Sequence, residues 1–128
     1  MRKNPFNLEI PSAVTVVGVV GKLLYLGIEG KVRMIVLAPN KANKTLQITG
    51  HTERGQRVKI RFTPDQRPIK DKIRGRIKIL AGMEIHVKKT TQIGQMVFHR
   101  LEGAAVSDAV VRVTVTPTEY GEFITLVF

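Results

Sequence analysis

The feature that most constrains this chain is a two-residue alternation of apolar and polar side chains, carried largely by Val, Ile and Thr, that recurs along most of its length. Successive side chains on a strand point to opposite faces, so this period asks for β-structure with one face in a core. Gly, Pro, Asn and Asp break the alternation at short intervals, where turns belong. Residues 13–28 read as one long strand, bent at Gly18 or Gly21, and Glu29-Gly30 is a turn. Residues 31–38 then close a hairpin with it. Residues 39–44 form a polar loop, 45–49 and 56–63 are strands joined through 50–55, and 64–72 is a charged, proline-bearing loop with room for one helical turn. Further strands are expected over 73–80, 83–89, 95–101, 109–116 and 122–128. Residues 81–82 make a turn, 102–108 a small-residue connection that could hold a short helix, and 117–121 a hairpin loop. No long amphipathic helix is expected. The expectation is an all-β fold: a small OB-like barrel or sandwich of short antiparallel strands. A lead-in over 1–12 precedes a single domain over 13–128, a division that suits a chain of 128 residues.

Composition narrows the function. The 43% hydrophobic content suits a packed domain, and 21 Lys+Arg against 10 Asp+Glu give a formal charge of +11. So large an excess of one sign is easiest to rationalise when a negative partner screens it. The chain has no cysteine, which excludes disulfides, thiolate metal sites and cysteine catalysis and fits a reducing compartment. Arg2 and Lys3 precede an apolar run over 13–28 that superficially resembles a signal peptide. Glu9 and Pro11 interrupt its approach and Lys22 splits it, and it is too glycine-rich to span a membrane. A cytoplasmic protein with no membrane partner is expected.

The charge is concentrated. Arg54, Arg57, Lys59, Arg61, Arg67, Lys70, Lys72, Arg74, Arg76 and Lys78 are opposed within their segment only by Asp65 and Asp71. Arg57, Lys59 and Arg61 alternate with Val58, Ile60 and Phe62, so on a strand the three cations share one face, roughly 7 Å apart. Arg74, Arg76 and Lys78 repeat the device against Ile73, Ile77 and Ile79 if that segment is also a strand. Two such rows would track the phosphates of a nucleic-acid backbone. A solvated outer face explains one row equally well, but side-by-side like charges on neighbouring strands disfavour that explanation for two.

Aromatic stacking candidates are few: five Phe, two Tyr and no Trp. Tyr25, Phe98 and Tyr120 are the better exposed candidates to meet a base, Tyr120 at a hairpin tip beside Gly121. Ordinary packing competes with this role at each position. Catalytic chemistry is not evident. His51, His86 and His99 lack metal-ligand spacing, and there is no G-x-S-x-G, Walker loop or GxGxxG. No enzyme, cofactor or metal is implied.

Three stretches together resemble the OB-fold single-stranded-DNA-binding proteins. The glycine-containing run Val14 to Leu23 is similar to their first strand. The basic run Arg57 to Phe62, the connection 64–72 and the run Ile73 to Leu80 are similar to their middle, and Val110 to Phe128 to a closing hairpin. The chain ends Ile124 to Phe128 without the acidic tail of the bacterial members, so the resemblance points to phage, plasmid or archaeal relatives. It implies non-catalytic binding of single-stranded nucleic acid, DNA first, by a homo-oligomer. The alternative is a β-rich assembly component, of a virion or other complex, whose basic face meets nucleic acid or an acidic partner.

Overall fold

The computed structural model describes residues 7–11, 16–39, 46–63, 70–84, 89–102, 105–119 and 121–128, and the side chains of 19–39, 47–60, 72–84, 89–98, 108–119 and 121–128. Its elements are β1 (Asn7–Pro11), α1 (Val16–Ile28), β2 (Met34–Pro39), β3 (Leu46–His51), β4 (Arg57–Thr63), α2 (Lys70–Leu80), β5 (Gln92–Glu102), β6 (Ala105–Thr118) and β7 (Gly121–Val127). The strands form one sheet of seven in the order β1-β4-β3-β2-β7-β6-β5. From β4 to β5 in that order each neighbouring pair is antiparallel, and β1 pairs parallel with β4 at one edge. The fold is mostly β, but it is not all-β, and the sheet is open, with β1 and β5 as its two ends rather than a closed barrel.

The strands form where alternation is strict. In β2, Ile35 and Leu37 are buried while Met34 and Val36 are half-buried on the other side. In β7, Ile124 and Leu126 face the core and Phe123, Thr125 and Val127 face away. Pairing keeps the sides consistent across the sheet, since Ile35 lies opposite Leu126 and Leu126 opposite Val113. The run 123–128, apolar enough to be an aggregation hazard if exposed, lies inside the sheet, with 124–127 paired on both sides, by β2 and β6.

Two expected strands are helices. In α1 the buried positions are Val19, Val20, Leu23, Leu24 and Gly27, while Gly21, Lys22 and Tyr25 are exposed. That is the i, i+4 spacing of a helix stripe, and the stripe outweighs the strand preference of the β-branched residues. The expected hairpin of 13–28 with 31–38 is therefore absent. In α2, Ile73, Ile77 and Ala81 are buried along one face, whereas Ile79, which a strand would bury, is 53% exposed. The glycines read as turns end the two helices in the same way. After α1, Gly30 takes φ 76°, its N–H donates to Gly27 O at 2.9 Å and Lys31 N–H donates to Leu26 O at 3.0 Å. After α2, Gly82 takes φ 70°, donating to Ile79 O at 3.1 Å while Met83 N–H donates to Lys78 O at 2.8 Å. Both are Schellman caps, which need a left-handed residue that glycine supplies without strain.

The two helices share one hydrophobic cluster with Ile35, Leu37, Ile48, Ile60, Met96, Val111, Val113, Val115, Ile124 and Leu126. Among the described residues both helices lie on one face of the sheet and neither covers the other face. Two close approaches fix this layer. Phe128 lies against the α1 backbone where Gly27 has no Cβ, with its N–H donating to Arg33 O at 2.9 Å. At Gly94 of β5 a Cβ would stand 2.5 Å from Ala81 O, so glycine is what lets the end of α2 seat on the sheet. The connection expected over 102–108 is mostly strand, because β5 and β6 pair continuously from Gln92 opposite Val115 to Glu102 opposite Ala105. The strand expected over 83–89 is irregular at 83–84 and 89, and 85–88 lie outside the described residues.

Candidate nucleic-acid interface

Strand β4 presents its cations as the alternation requires. Val58 and Ile60 are buried in the core, and Arg57 and Lys59 are exposed on the uncovered face. The register extends each of them into a row across the sheet. Arg57 lies opposite His51, His51 opposite Met34, Met34 opposite Val127, Val127 opposite Arg112 and Arg112 opposite Gln95. The next row runs from Lys59 through Thr49, Val36, Thr125 and Thr114 to Ile93. Arg57 and Arg112 thus stand four strand spacings apart, roughly 19 Å at about 4.8 Å per strand. The positions between them hold no acidic residue. Between the cations the first row holds His51, Met34 and Val127, and the second holds the buried Thr49 and the half-buried Val36, Thr125 and Thr114.

The loop that joins β3 to β4 carries a further cation beside this surface. Arg54 is exposed in the turn, which is closed by Thr52 N–H donating to Gln56 O at 2.9 Å and by Gln56 N–H donating to Thr52 Oγ1 at 3.0 Å. Gly55 takes φ 82° there. Arg61 is on β4 opposite Glu9 of β1, and its side chain lies outside the described residues.

The second expected row does not form. Residues 70–80 are helical, so Arg74, Arg76 and Lys78 cannot share a strand face. Lys78, expected on the surface, is 1% exposed and donates through Nζ to Glu122 Oε2 at 2.8 Å. Arg74 approaches the other carboxylate oxygen, Nη1 to Oε1, at 3.8 Å. Glu122 sits on the core-facing side of β7, and two cations of α2 neutralise it. Arg76 is half-buried, with a buried Nε that has no hydrogen-bond partner among the described residues. Lys72 is exposed on α2, in the helix layer, away from Arg57 and Lys59. Lys70 begins α2 with its side chain outside the described residues, and Arg67 and Tyr120 lie outside them altogether. Tyr25 is 59% exposed, but on α1, so it does not share the face of β4.

Sequence reasoning passed over Arg112, which the fold places on the same open face as Arg57. Its signal was available: Arg112 alternates with Val111 and Val113 in a run already read as strand. The exposed Lys31 and Arg33 were also passed over. They lie just before β2, where Arg33 N–H donates to His51 O at 2.6 Å, so they extend the basic end of the sheet. Among the described residues no group of three or more His, Asp or Glu side chains is arranged to hold a metal ion, and no helix is long and apolar enough to cross a membrane. No protein-family model matches the chain, and no curated protein matches it.

Proposed function

We propose that the protein binds nucleic acid, single-stranded DNA in the first place, on the open face of its sheet, without catalysing a reaction on it. The observation that carries this is the row from Arg57 to Arg112, with Lys59 beside it, on a face that neither helix covers. A phosphate backbone laid across the strands meets Arg57 and Lys59 at one side and Arg112 at the other, while the side chains between them contact sugars and bases. Affinity then comes mainly from charge, as in sequence-tolerant single-strand binders. The likeness to OB-fold single-stranded-DNA-binding proteins is one of use, a sheet face turned to the strand, and here the sheet is open. The proposed setting is the cytoplasm. Titration of the purified protein with bare single-stranded and double-stranded oligonucleotides over a range of salt tests the proposal, with tighter, salt-dependent binding of single strands expected. Salt-independent or absent binding would favour the second reading, an assembly component, to which the exposed apolar residues Ile93, Val97 and Val110 lend support.

A further inference from the structure

The two ends of the sheet are finished differently. β1 has five residues and carries Glu9 and Pro11, a short edge bearing a charge and a residue that cannot donate to a new ladder. β5 has eleven residues, and from Gln92 through Phe98 it contains neither a charged residue nor a proline, in a chain with 21 Lys+Arg. Among the described residues β5 pairs with β6 alone. Its outward side chains include Ile93, 80% exposed, and Val97, 50% exposed, with Val110 exposed beside Val97 on β6. Natural edges that stay unpaired are shortened or charged, and over residues 92–98 this one is neither, its charges Arg100 and Glu102 coming only at the far end of the strand.

We propose that β5 pairs antiparallel with β5 of a second copy, about a two-fold axis at Gln95. Partners across an antiparallel pair point to the same face, so the two-fold axis stands perpendicular to the sheet. With Gln95 opposite its own counterpart, Ile93 meets Val97 of the second copy and Val97 meets its Ile93, so both exposed apolar groups are covered twice over. Gln95 meets Gln95, whose amides can donate and accept in turn. A shift of two residues either way breaks the match, setting Ile93 against Gln95 or against His99. The segment is thus complementary to itself in this register, which is what an isologous contact requires. The axis leaves both open faces on one side, so the sheets join into a single fourteen-stranded surface. The pairing does not depend on nucleic-acid binding.

Sedimentation of the full chain across the micromolar range tests the proposal, with twice the chain mass expected. The chain bearing Ile93→Lys and Val97→Lys should run as a monomer with an unchanged far-ultraviolet circular-dichroism spectrum, because both side chains face solvent. A cysteine probe tests the register separately, and decides alone if the lysine variant fails to fold. The chain has no native cysteine, and residues directly opposite on antiparallel strands have Cα atoms about 4.5–5.5 Å apart, within disulfide reach. Gln95→Cys should therefore oxidise to a covalent dimer much faster than Val110→Cys, one strand in from the edge. A wild-type chain that stays monomeric, a dimer that survives both lysines, or equal crosslinking at the two cysteines would overturn the proposal.

Discussion

Lys78 and Glu122 form an ion pair inside the core, Nζ to Oε2 at 2.8 Å, linking α2 to β7 across 44 residues of sequence. The two charges are nearly shut off from water, so each is tolerated because the other is there. Removing one partner leaves the other uncompensated. Glu122→Leu strands Lys78 beside Arg74 and should cost about 3–5 kcal/mol in urea denaturation. Lys78→Met should cost less, because Arg74 still faces the carboxylate at 3.8 Å. The double variant should recover most of the loss. Glu122→Leu that melts like the wild type would show that the pair holds nothing together.

Glycine positions give a second, independent set of outcomes. Gly94→Val drives a side chain into Ala81 O and Met83 and should destabilise by about 1–3 kcal/mol through overpacking. Gly21→Ala and Gly75→Ala lie within α1 and α2 with open space around the added methyl, and each should stabilise by about 0.5–1 kcal/mol. Thermal melting of the three variants checks both signs.

Much of the sheet was readable before the structure. Strands β2, β4 and β7 fall within a residue or a few of the expected ones, because each buries one face only and so keeps its alternation; β3 lies close to its expected place although Ile48, Thr49 and Gly50 are buried in succession. The helices were misread for opposite reasons. In α1, Val16, Val17, Val19 and Val20 suggest a strand, while the burial of Val19, Val20, Leu23, Leu24 and Gly27 follows helical spacing that was present in the sequence. In α2, Arg74, Arg76 and Lys78 alternate with Ile73, Ile77 and Ile79 by coincidence, and the fold buries a lysine and exposes an isoleucine. The burial of Lys78 could not be read locally, since only the tertiary fold brings Glu122 to it. The candidate site was half legible: the row on β4 follows from its own alternation, whereas its continuation to Arg112 depends on strand order.

Arg112 should matter to binding although it lies on a different hairpin from the basic segment. Arg112→Glu should weaken binding of a single-stranded oligonucleotide and flatten log K against log salt by about 0.7, one phosphate contact. Tyr25→Ala, in the helix layer, should leave affinity unchanged. A loss at Tyr25 with none at Arg112 would move the interface to the other side of the molecule.

The most direct measurement compares two double charge reversals that alter net charge equally. Arg57→Glu with Lys59→Glu changes the open face of the sheet, and Lys22→Glu with Lys72→Glu changes the helix layer, all four positions being exposed. Stability should shift by no more than about 0.5 kcal/mol per substitution in either variant. Fluorescence anisotropy with a labelled single-stranded oligonucleotide, repeated over salt, should show the sheet variant binding more weakly, with a slope shallower by about 1.4 for two lost contacts. The helix variant should keep nearly the wild-type slope. A sheet variant that stays folded and keeps both affinity and slope, or a helix variant that loses as much, would contradict binding on the open face.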